Sequence, residues 1–187
     1  MINAICGNPD LFNILRGTCE EEGVKVAVCP ELLIDGEADD SQILILKIDR
    51  YYNTQNFAKP PKSIDCLIVI DNKGNRFSLD LLELKSTKYL KRIKFRDIHT
   101  KFKTTIENFM KIDFKTIFLS EKYKVIDIEL HLVAGHNFSQ EQFRRKIKAP
   151  LLDAAQSFKP FEFRGHIKQI ELLSKDRYKH RNLLLEK

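Results

Sequence analysis

The sequence predicts an α/β domain in which a central mixed β-sheet is flanked by helices. The first observation behind this prediction is a β-hairpin pattern, with two apolar strands at 63–70 and 76–85 joined by the turn-forming sequence DNKGN. The second is an amphipathic helix that follows it, because Phe or Ile recurs every three or four residues from Phe95 to Phe109.

Before the hairpin, the sequence predicts one helix, two strands and a loop. Asn8 followed by a proline is typical of a helix N-terminus, and Gly23 is the expected end of that helix. Apolar runs at 24–29 and 43–48 have the length of strands. The segment 51–62 ends near two prolines, and its polar and aromatic side chains suit a loop that either contacts bases or faces solvent.

After the amphipathic helix, the pattern returns to strands and then to a last helix. Short apolar runs at 115–119 and 125–133 predict two strands. Ser139 with Gln142 three residues later forms a capping-box pattern, which predicts a helix from there to about residue 156.

Length and composition indicate one domain, 1–187, with a core at about 9–134 and a C-terminal helical extension at about 139–187. Hydrophobic residues make up 43% of the chain, which excludes wholesale disorder. No apolar run reaches the ~18 residues needed to cross a bilayer, and the N-terminus does not resemble a secretion signal. We therefore expect a soluble cytoplasmic protein that does not bind membranes.

The cysteines support the same expectation. Cys6, Cys19, Cys29 and Cys66 include no CxxC pair, so a zinc site is not expected. Four cysteines in a chain of this length are also too few for a disulfide framework. We expect reduced thiols that pack as small apolar groups.

Charge is unevenly divided along the chain. Residues 1–60 carry five Lys or Arg and ten Asp or Glu, a net charge of −5, whereas residues 61–187 carry 27 and 16, a net charge of +11. The densest basic stretch, 85–103, has eight cationic residues against Asp97 alone. Such a surface attracts a polyanion, most simply nucleic acid, although many lysines are merely solvated.

The hairpin brings two carboxylates and a lysine to one end. With the turn centred near Lys73, Asp65 faces position 81, within two residues of Glu83. Side chains alternate along a strand, so Glu83 and Lys85 share a face. Asp65, Glu83 and the carbonyl of Leu84 would suffice to bind Mg²⁺ together with waters and a phosphate. Lys85 would then orient the attacking water and balance the charge on the phosphate.

Asp65, followed after seventeen residues by Glu83-Leu84-Lys85, resembles the PD-(D/E)XK nuclease superfamily over roughly residues 9–120. The resemblance implies a restriction-endonuclease-like core and Mg²⁺-dependent hydrolysis of nucleic-acid phosphodiester bonds. It also implies that Asp65 and Glu83 are metal ligands and that Lys85 is the catalytic lysine.

The family pattern and this chain differ in front of the aspartate, where Ile64 stands in place of the family's proline. Many members also use a glutamate from the first helix as a further metal ligand. Glu20, Glu21 and Glu22 are all candidates for that position, and Glu21 is our choice.

The expected partner is nucleic acid, with DNA favoured over RNA, and the expected assembly is a homodimer that cuts both strands. Mn²⁺ could replace Mg²⁺, since oxygen ligands accept both. Six basic residues are expected to contact the phosphate backbone: Lys88, Lys91, Arg92, Lys94, Arg96 and Lys101. Two alternatives remain, namely a non-catalytic nucleic-acid-binding or assembly module with the same fold, and an RNA-directed endonuclease with the same site.

Overall fold

The structure is a computed structural model that describes residues 1–21, 23–26, 32–35, 37–55, 57–86, 94–134 and 158–174. The strands in these ranges are β1 (Leu15–Arg16), β2 (Cys19–Glu21), β3 (Val24–Val26), β4 (Leu33–Ile34), β5 (Glu37–Ala38), β6 (Ile43–Lys47), β7 (Cys66–Asp71), β8 (Arg76–Lys85), β9 (Lys124–Ala134), β10 (Phe161–Phe163), β11 (His166–Lys168) and β12 (Glu171–Ser174). The helices are α1 (Ile2–Cys6), α2 (Pro9–Asn13), α3 (Ile48–Thr54), α4 (Phe95–Thr104), which continues as a π-helix over Thr105–Asp113, and α5 (Lys115–Phe118).

Six strands form a central mixed sheet in the order β1-β6-β7-β8-β9-β12. Strands β6, β7 and β8 make an antiparallel meander, and β9 lies parallel to β8 after a connection that includes α4. At the two edges, β1 is antiparallel to β6 and β12 is parallel to β9. The predicted α/β class with a central mixed sheet is confirmed.

The sheet is buried on both faces, which explains why its inner strands are nearly continuous apolar runs. On one face, alternate residues such as Leu79 and Leu81 pack with helical side chains, including Phe102 and Phe109. The predicted amphipathic helix is thereby confirmed. The side chains on the opposite face of the sheet pack against the β2–β3 hairpin. This hairpin contributes Cys19, Val24 and Val26 to a second core cluster.

The predicted strands at 43–48, 63–70, 76–85 and 125–133 correspond to β6, β7, β8 and β9. The strand predicted at 24–29 is present as β3, and the rest of that segment lies outside the described residues.

The turn of the β7–β8 hairpin lies one residue later than its sequence suggests. Lys73, Gly74 and Asn75 all have positive φ angles, of 65°, 64° and 60°. Gly74 adopts this conformation without steric cost. The turn is therefore centred on Gly74 rather than on Lys73.

This one-residue difference in the turn changes the strand register by two. Cys66 pairs with Leu82, and the backbone N–H of Asp65 donates to the carbonyl oxygen of Leu82 at 3.2 Å. Continuing the same register puts Asp65 across from Glu83 rather than from Leu81. The shift brings the two predicted carboxylates closer than the sequence register implies.

The helix predicted at 8–23 is wrong beyond its first turn. Asn8 caps α2, and its side-chain oxygen accepts two backbone N–H groups at 3.1 Å, but the helix ends at Asn13. The following residues pair as strands, β1 with β6 and β2 with β3. Gly23, at φ 75°, lies between β2 and β3 instead of ending a helix. Sheet pairing outweighs the local helical pattern here.

Two further predictions are wrong, one for a polar segment that ends near two prolines and one for a short apolar segment that could be a helix or a strand. The segment 51–62, predicted as a loop, begins inside α3, where Ile48 and Tyr52 are buried four residues apart on one side of the helix. The segment 115–119, predicted as a strand, contains α5, in which Phe118 is fully buried.

At the C-terminus, the helix predicted from Ser139 to about residue 156 lies outside the described residues. The described part, 158–174, forms the antiparallel β10–β11 pair and the sheet strand β12, so this part of the expected helical extension is strand. Among the described helices, none has the length and apolar character required to cross a membrane.

Cys19 of β2 and Cys66 of β7 form a disulfide, so the expectation of reduced thiols is wrong for these two residues, whereas Cys6 is free as expected. Both residues are fully buried on the second face of the sheet, 47 positions apart in the chain. The spacing of the cysteines carried no signal of this pairing, because only the packing of β2 over β7 brings them together. Cys29 lies outside the described residues.

Candidate functional site

Charged side chains gather at one end of the central meander. Because β6, β7 and β8 are antiparallel, the end of β6, the start of β7 and the end of β8 lie side by side at the same end of the strands. Lys47 ends β6, Asp65 directly precedes β7, and Glu83 and Lys85 lie at the end of β8. Residues far apart in the chain thus meet at this end of the strands.

The two carboxylates of the hairpin are buried. The side chain of Asp65 is 5% exposed and that of Glu83 is 0% exposed. The Oδ2 atom of Asp65 accepts the backbone N–H of Leu84 at 2.7 Å, which fixes the carboxylate against the end of β8. Buried carboxylates require hydrogen bonds and opposite charge, and this hydrogen bond supplies only part of that requirement.

Two lysines supply positive charge. The Nζ atom of Lys101, on α4, donates to Glu83 Oε1 at 2.7 Å and to Oε2 at 3.0 Å, and it lies 3.8 Å from Asp65 Oδ1. The Nζ atom of Lys85 lies 3.2 Å from Glu83 Oε1. Helix α4 therefore contributes a cation to the carboxylates of the hairpin.

The electrostatic balance at Asp65 still disfavours its charged form. Burial, followed by the negative charge of Glu83, raises the pKa of Asp65 to about 7, although Lys101, the N–H of Leu84 and Lys85 act in the opposite direction. A further positive charge beside Asp65 would stabilise its ionised form.

Asp65 also belongs to a second group of carboxylates. Glu21 of β2, Asp49 of α3 and Asp65 each offer an oxygen, and these three oxygens lie within 4.8 Å of one another. The buried Oδ1 atom of Asp49 accepts no hydrogen bond from any described residue. Carboxylate oxygens are the ligands that hard divalent cations prefer, so this group could hold a metal ion.

Lys47 is the cation of this second group. Its Nζ atom lies 2.8 Å from Glu21 Oε2 and 3.7 Å from Asp49 Oδ1. Burial acts to lower the pKa of Lys47, but the hydrogen bond to Glu21 and the charges of Asp49 and Asp65 raise it overall.

The sequence-predicted residues are distributed as follows. The structure brings together Asp65, Glu83 and Lys85, and it adds Glu21 through a strand rather than through the predicted first helix. Leu84 contributes its N–H to Asp65, and the predicted metal contact of its carbonyl stays a prediction.

The six predicted phosphate-contacting residues do not share one position. Lys88, Lys91 and Arg92 lie outside the described residues. Lys94 and Arg96 are exposed at the start of α4, but Lys101 is turned to Glu83 and so does not belong to an open basic surface.

The sequence reasoning missed Asp49, Lys47 and the role of Lys101 at the carboxylates. A signal for the first two existed, because charged residues directly follow the apolar run of β6 at the edge where that strand meets β7. Lys101 carried no such signal, since its partner lies 18 positions away on another element.

Comparison of the chain with protein-family models, curated proteins and solved structures finds no match.

Proposed function

We propose that this chain is a metal-dependent nuclease with a restriction-endonuclease-like core, and that it hydrolyses phosphodiester bonds in DNA. The observation that carries the proposal is the pair of buried carboxylates, Asp65 and Glu83, at adjoining strand ends with Lys85 and Lys101 against Glu83. Burying two carboxylates this deeply is costly unless they bind something positive.

The order of elements supports the resemblance on which this proposal draws. The aspartate directly precedes β7, the Glu-Leu-Lys sequence closes β8, and the amphipathic helix α4 and the parallel strand β9 follow. This is the order that the PD-(D/E)XK resemblance implies for Asp65, Glu83 and Lys85.

The carboxylates fit a hard divalent cation, Mg²⁺ or Mn²⁺. Asp65 could hold the ion together with Glu83, together with Glu21 and Asp49, or together with all three of these carboxylates. Such an ion, when bound, supplies Lewis-acid chemistry at the phosphate. Lys85 is only partly buried, so its ammonium can stabilise negative charge on a phosphate at this end of the strands. Hydrolysis then adds water across one P–O bond and yields a phosphate monoester and a free hydroxyl group.

A non-catalytic nucleic-acid-binding module is the second candidate. One observation favours it: Lys101 already donates to both oxygens of Glu83, so a built-in cation neutralises that carboxylate. In this reading the lysine replaces a metal ion permanently. The two candidates differ in whether cleavage accompanies binding.

The test is to incubate the protein with supercoiled plasmid and with single-stranded RNA, in Mg²⁺ or Mn²⁺. We expect metal-dependent DNA products, and we expect Glu83→Gln to reduce the rate by about 100-fold or more. Glu129→Gln is the matched control, because Glu129 also binds a lysine but lies on β9 within a separate ion-pair cluster.

Cleavage by wild type and Glu129→Gln alone would support the proposal. Equal cleavage by the Glu83→Gln variant would refute the site. Cleavage of the RNA without cleavage of the plasmid would assign the protein to the ribonucleases. DNA binding without any cleavage would favour the non-catalytic module.

A further inference from the structure

A polar cavity of about 600 Å³ opens beside the carboxylate group. Its volume is within the range of about 300–1,000 Å³ typical of small-ligand sites. The lining residues are Arg16, Gly17, Thr18, Glu20, Lys47, Asp49, Arg50 and Asn53. Lys47 and Asp49 also belong to the second carboxylate group, so the cavity and the candidate metal ligands share a wall.

The cations of this cavity differ in how far they are already engaged. Lys47 is paired with Glu21, and the guanidinium of Arg16 donates to the backbone carbonyls of Asn13 and Leu15. The side chain of Arg50, an exposed residue, forms no hydrogen bond or ion pair with any residue in the described ranges. Of the three cations in the cavity wall, Arg50 is therefore the one that a ligand can engage without breaking an existing contact.

The chemistry of this wall suits a phosphodiester. A guanidinium is a planar fork of donors that matches two phosphate oxygens. Asn53 lies three residues after Arg50 on α3, on the same side of the helix, and its amide can donate to a further oxygen or to a base edge. Glu20 and Asp49 also line the cavity, and their carboxylates oppose part of its positive charge. Attraction between charges alone therefore does not account for phosphate binding here.

A second cavity provides the contrast. It has a volume of about 560 Å³ and is lined by Arg76, Lys124, Arg164, His166 and two apolar residues. Arg76 and Lys124 begin β8 and β9, so this cavity lies at the opposite end of the sheet from Glu83. It has three lysines and arginines, as many as the first cavity, but it has no carboxylate in its wall.

We infer that the cavity around Arg50 binds the sugar-phosphate of a DNA nucleotide neighbouring the one whose phosphate lies at the carboxylates. The inference rests on the proposed function and adds to it a substrate-binding subsite and a direction, since the strand would run from the end of β8 across Asp65 to α3. Arg50 would position the strand, and the chemistry would stay with the groups at Asp65 and Glu83.

The test measures binding without cleavage. The anisotropy of a short fluorescein-labelled DNA oligonucleotide is followed in EDTA with wild type, Arg50→Ala, Arg50→Lys and Arg76→Ala, each checked for native circular dichroism. We expect Arg50→Ala to weaken binding about tenfold and Arg50→Lys to weaken it less, because a lysine keeps the charge but not the fork. Arg76→Ala, the matched arginine of the second cavity, is expected to change binding less than about twofold. An RNA oligonucleotide of the same sequence is the second arm, and weaker binding of RNA is expected.

Wild-type affinity in Arg50→Ala, or equal losses in Arg50→Ala and Arg76→Ala, would overturn the inference. So would Arg50-dependent binding of the RNA in preference to the DNA. Where cleavage is measurable, Arg50→Ala should raise KM while kcat is largely kept. The inference and the proposed function fail separately: Arg50-dependent binding without cleavage refutes only the nuclease, and cleavage with Arg50-independent binding refutes only the subsite.

Discussion

In two regions of this molecule one lysine contacts two carboxylates, and the regions differ mainly in burial, although Lys85 also lies beside Glu83 in the first. At the end of the hairpin, Lys101 lies 2.7 Å from Glu83 and 3.8 Å from Asp65. Lys168 of β11 bridges two carboxylates of β9, at 2.8 Å and 2.9 Å. The side chains of Asp65 and Glu83 are 5% and 0% exposed, whereas the two on β9 are 30% and 15% exposed.

The difference shows why the same three side-chain types have different consequences. The partly exposed cluster, Asp127, Glu129 and Lys168, is solvated, and exposed ion pairs contribute about 0–1 kcal/mol. The buried cluster loses its hydration, so its charges must be matched by the protein or by a bound cation. Burial, rather than the presence of acids and a lysine, marks the candidate site. The predictions below test this comparison.

The largest expected effect is on stability when the lysine is removed from each cluster. Lys101→Met leaves two buried carboxylates without their nearest cation and should lower the free energy of unfolding by about 3–5 kcal/mol. Lys168→Met should lower it by about 0–1 kcal/mol. Urea denaturation at neutral pH measures both, and added Mg²⁺ should restore part of the loss in Lys101→Met alone. Equal losses in the two variants would show that burial does not separate the clusters.

The second prediction concerns pH. The pKa of Asp65 is raised to about 7 from 3.8, so between these values the folded protein holds a proton that the unfolded chain has released. The free energy of unfolding therefore falls as the pH rises through this window. Asn cannot ionise, so Asp65→Asn should be more stable than wild type by about 2–4 kcal/mol at about pH 8, with little difference below about pH 4.

The matched control for this pH effect is Asp127→Asn, which should change the free energy of unfolding by about 0–1 kcal/mol at either pH. Urea denaturation series across the pH range give the comparison. A constant difference between Asp65→Asn and wild type at all pH values would contradict the raised pKa. The same substitution should abolish cleavage, so stability and activity are expected to move in opposite directions at this residue.

The third prediction separates the two possible ligand sets. Mn²⁺ at a hundred times its Kd should stabilise the wild type by about 2.7 kcal/mol, which corresponds to a rise in Tm of about 5–10 °C. Asp49→Asn should lose most of this rise if Glu21, Asp49 and Asp65 hold the ion. Glu129→Gln should retain it. A rise that persists in Asp49→Asn but disappears in Glu83→Gln would assign the ion to the pair that the sequence predicts.

The site could be predicted from the sequence only in part. Asp65, Glu83 and Lys85 could be predicted because a hairpin is a local structure. Its turn and the alternation of side chains along its strands bring these few residues together at short range. Glu21 was selected for the wrong structural reason, since it lies on a strand rather than a helix. Asp49 and Lys47 were missed, and Lys101 was predicted to contact phosphate rather than Glu83, because α3, β6 and α4 are placed by long-range packing.

The sequence by itself determined the α/β class, the hairpin and the amphipathic helix, because apolar periodicity and turn chemistry are properties of neighbouring residues. Only the tertiary structure decided three features. Sheet pairing placed the residues after Asn13 of the predicted helix 8–23 in strands, packing of β2 over β7 joined Cys19 to Cys66, and docking of α4 brought Lys101 to Glu83. Each depends on contacts between distant parts of the chain, whose burial outweighs local preference.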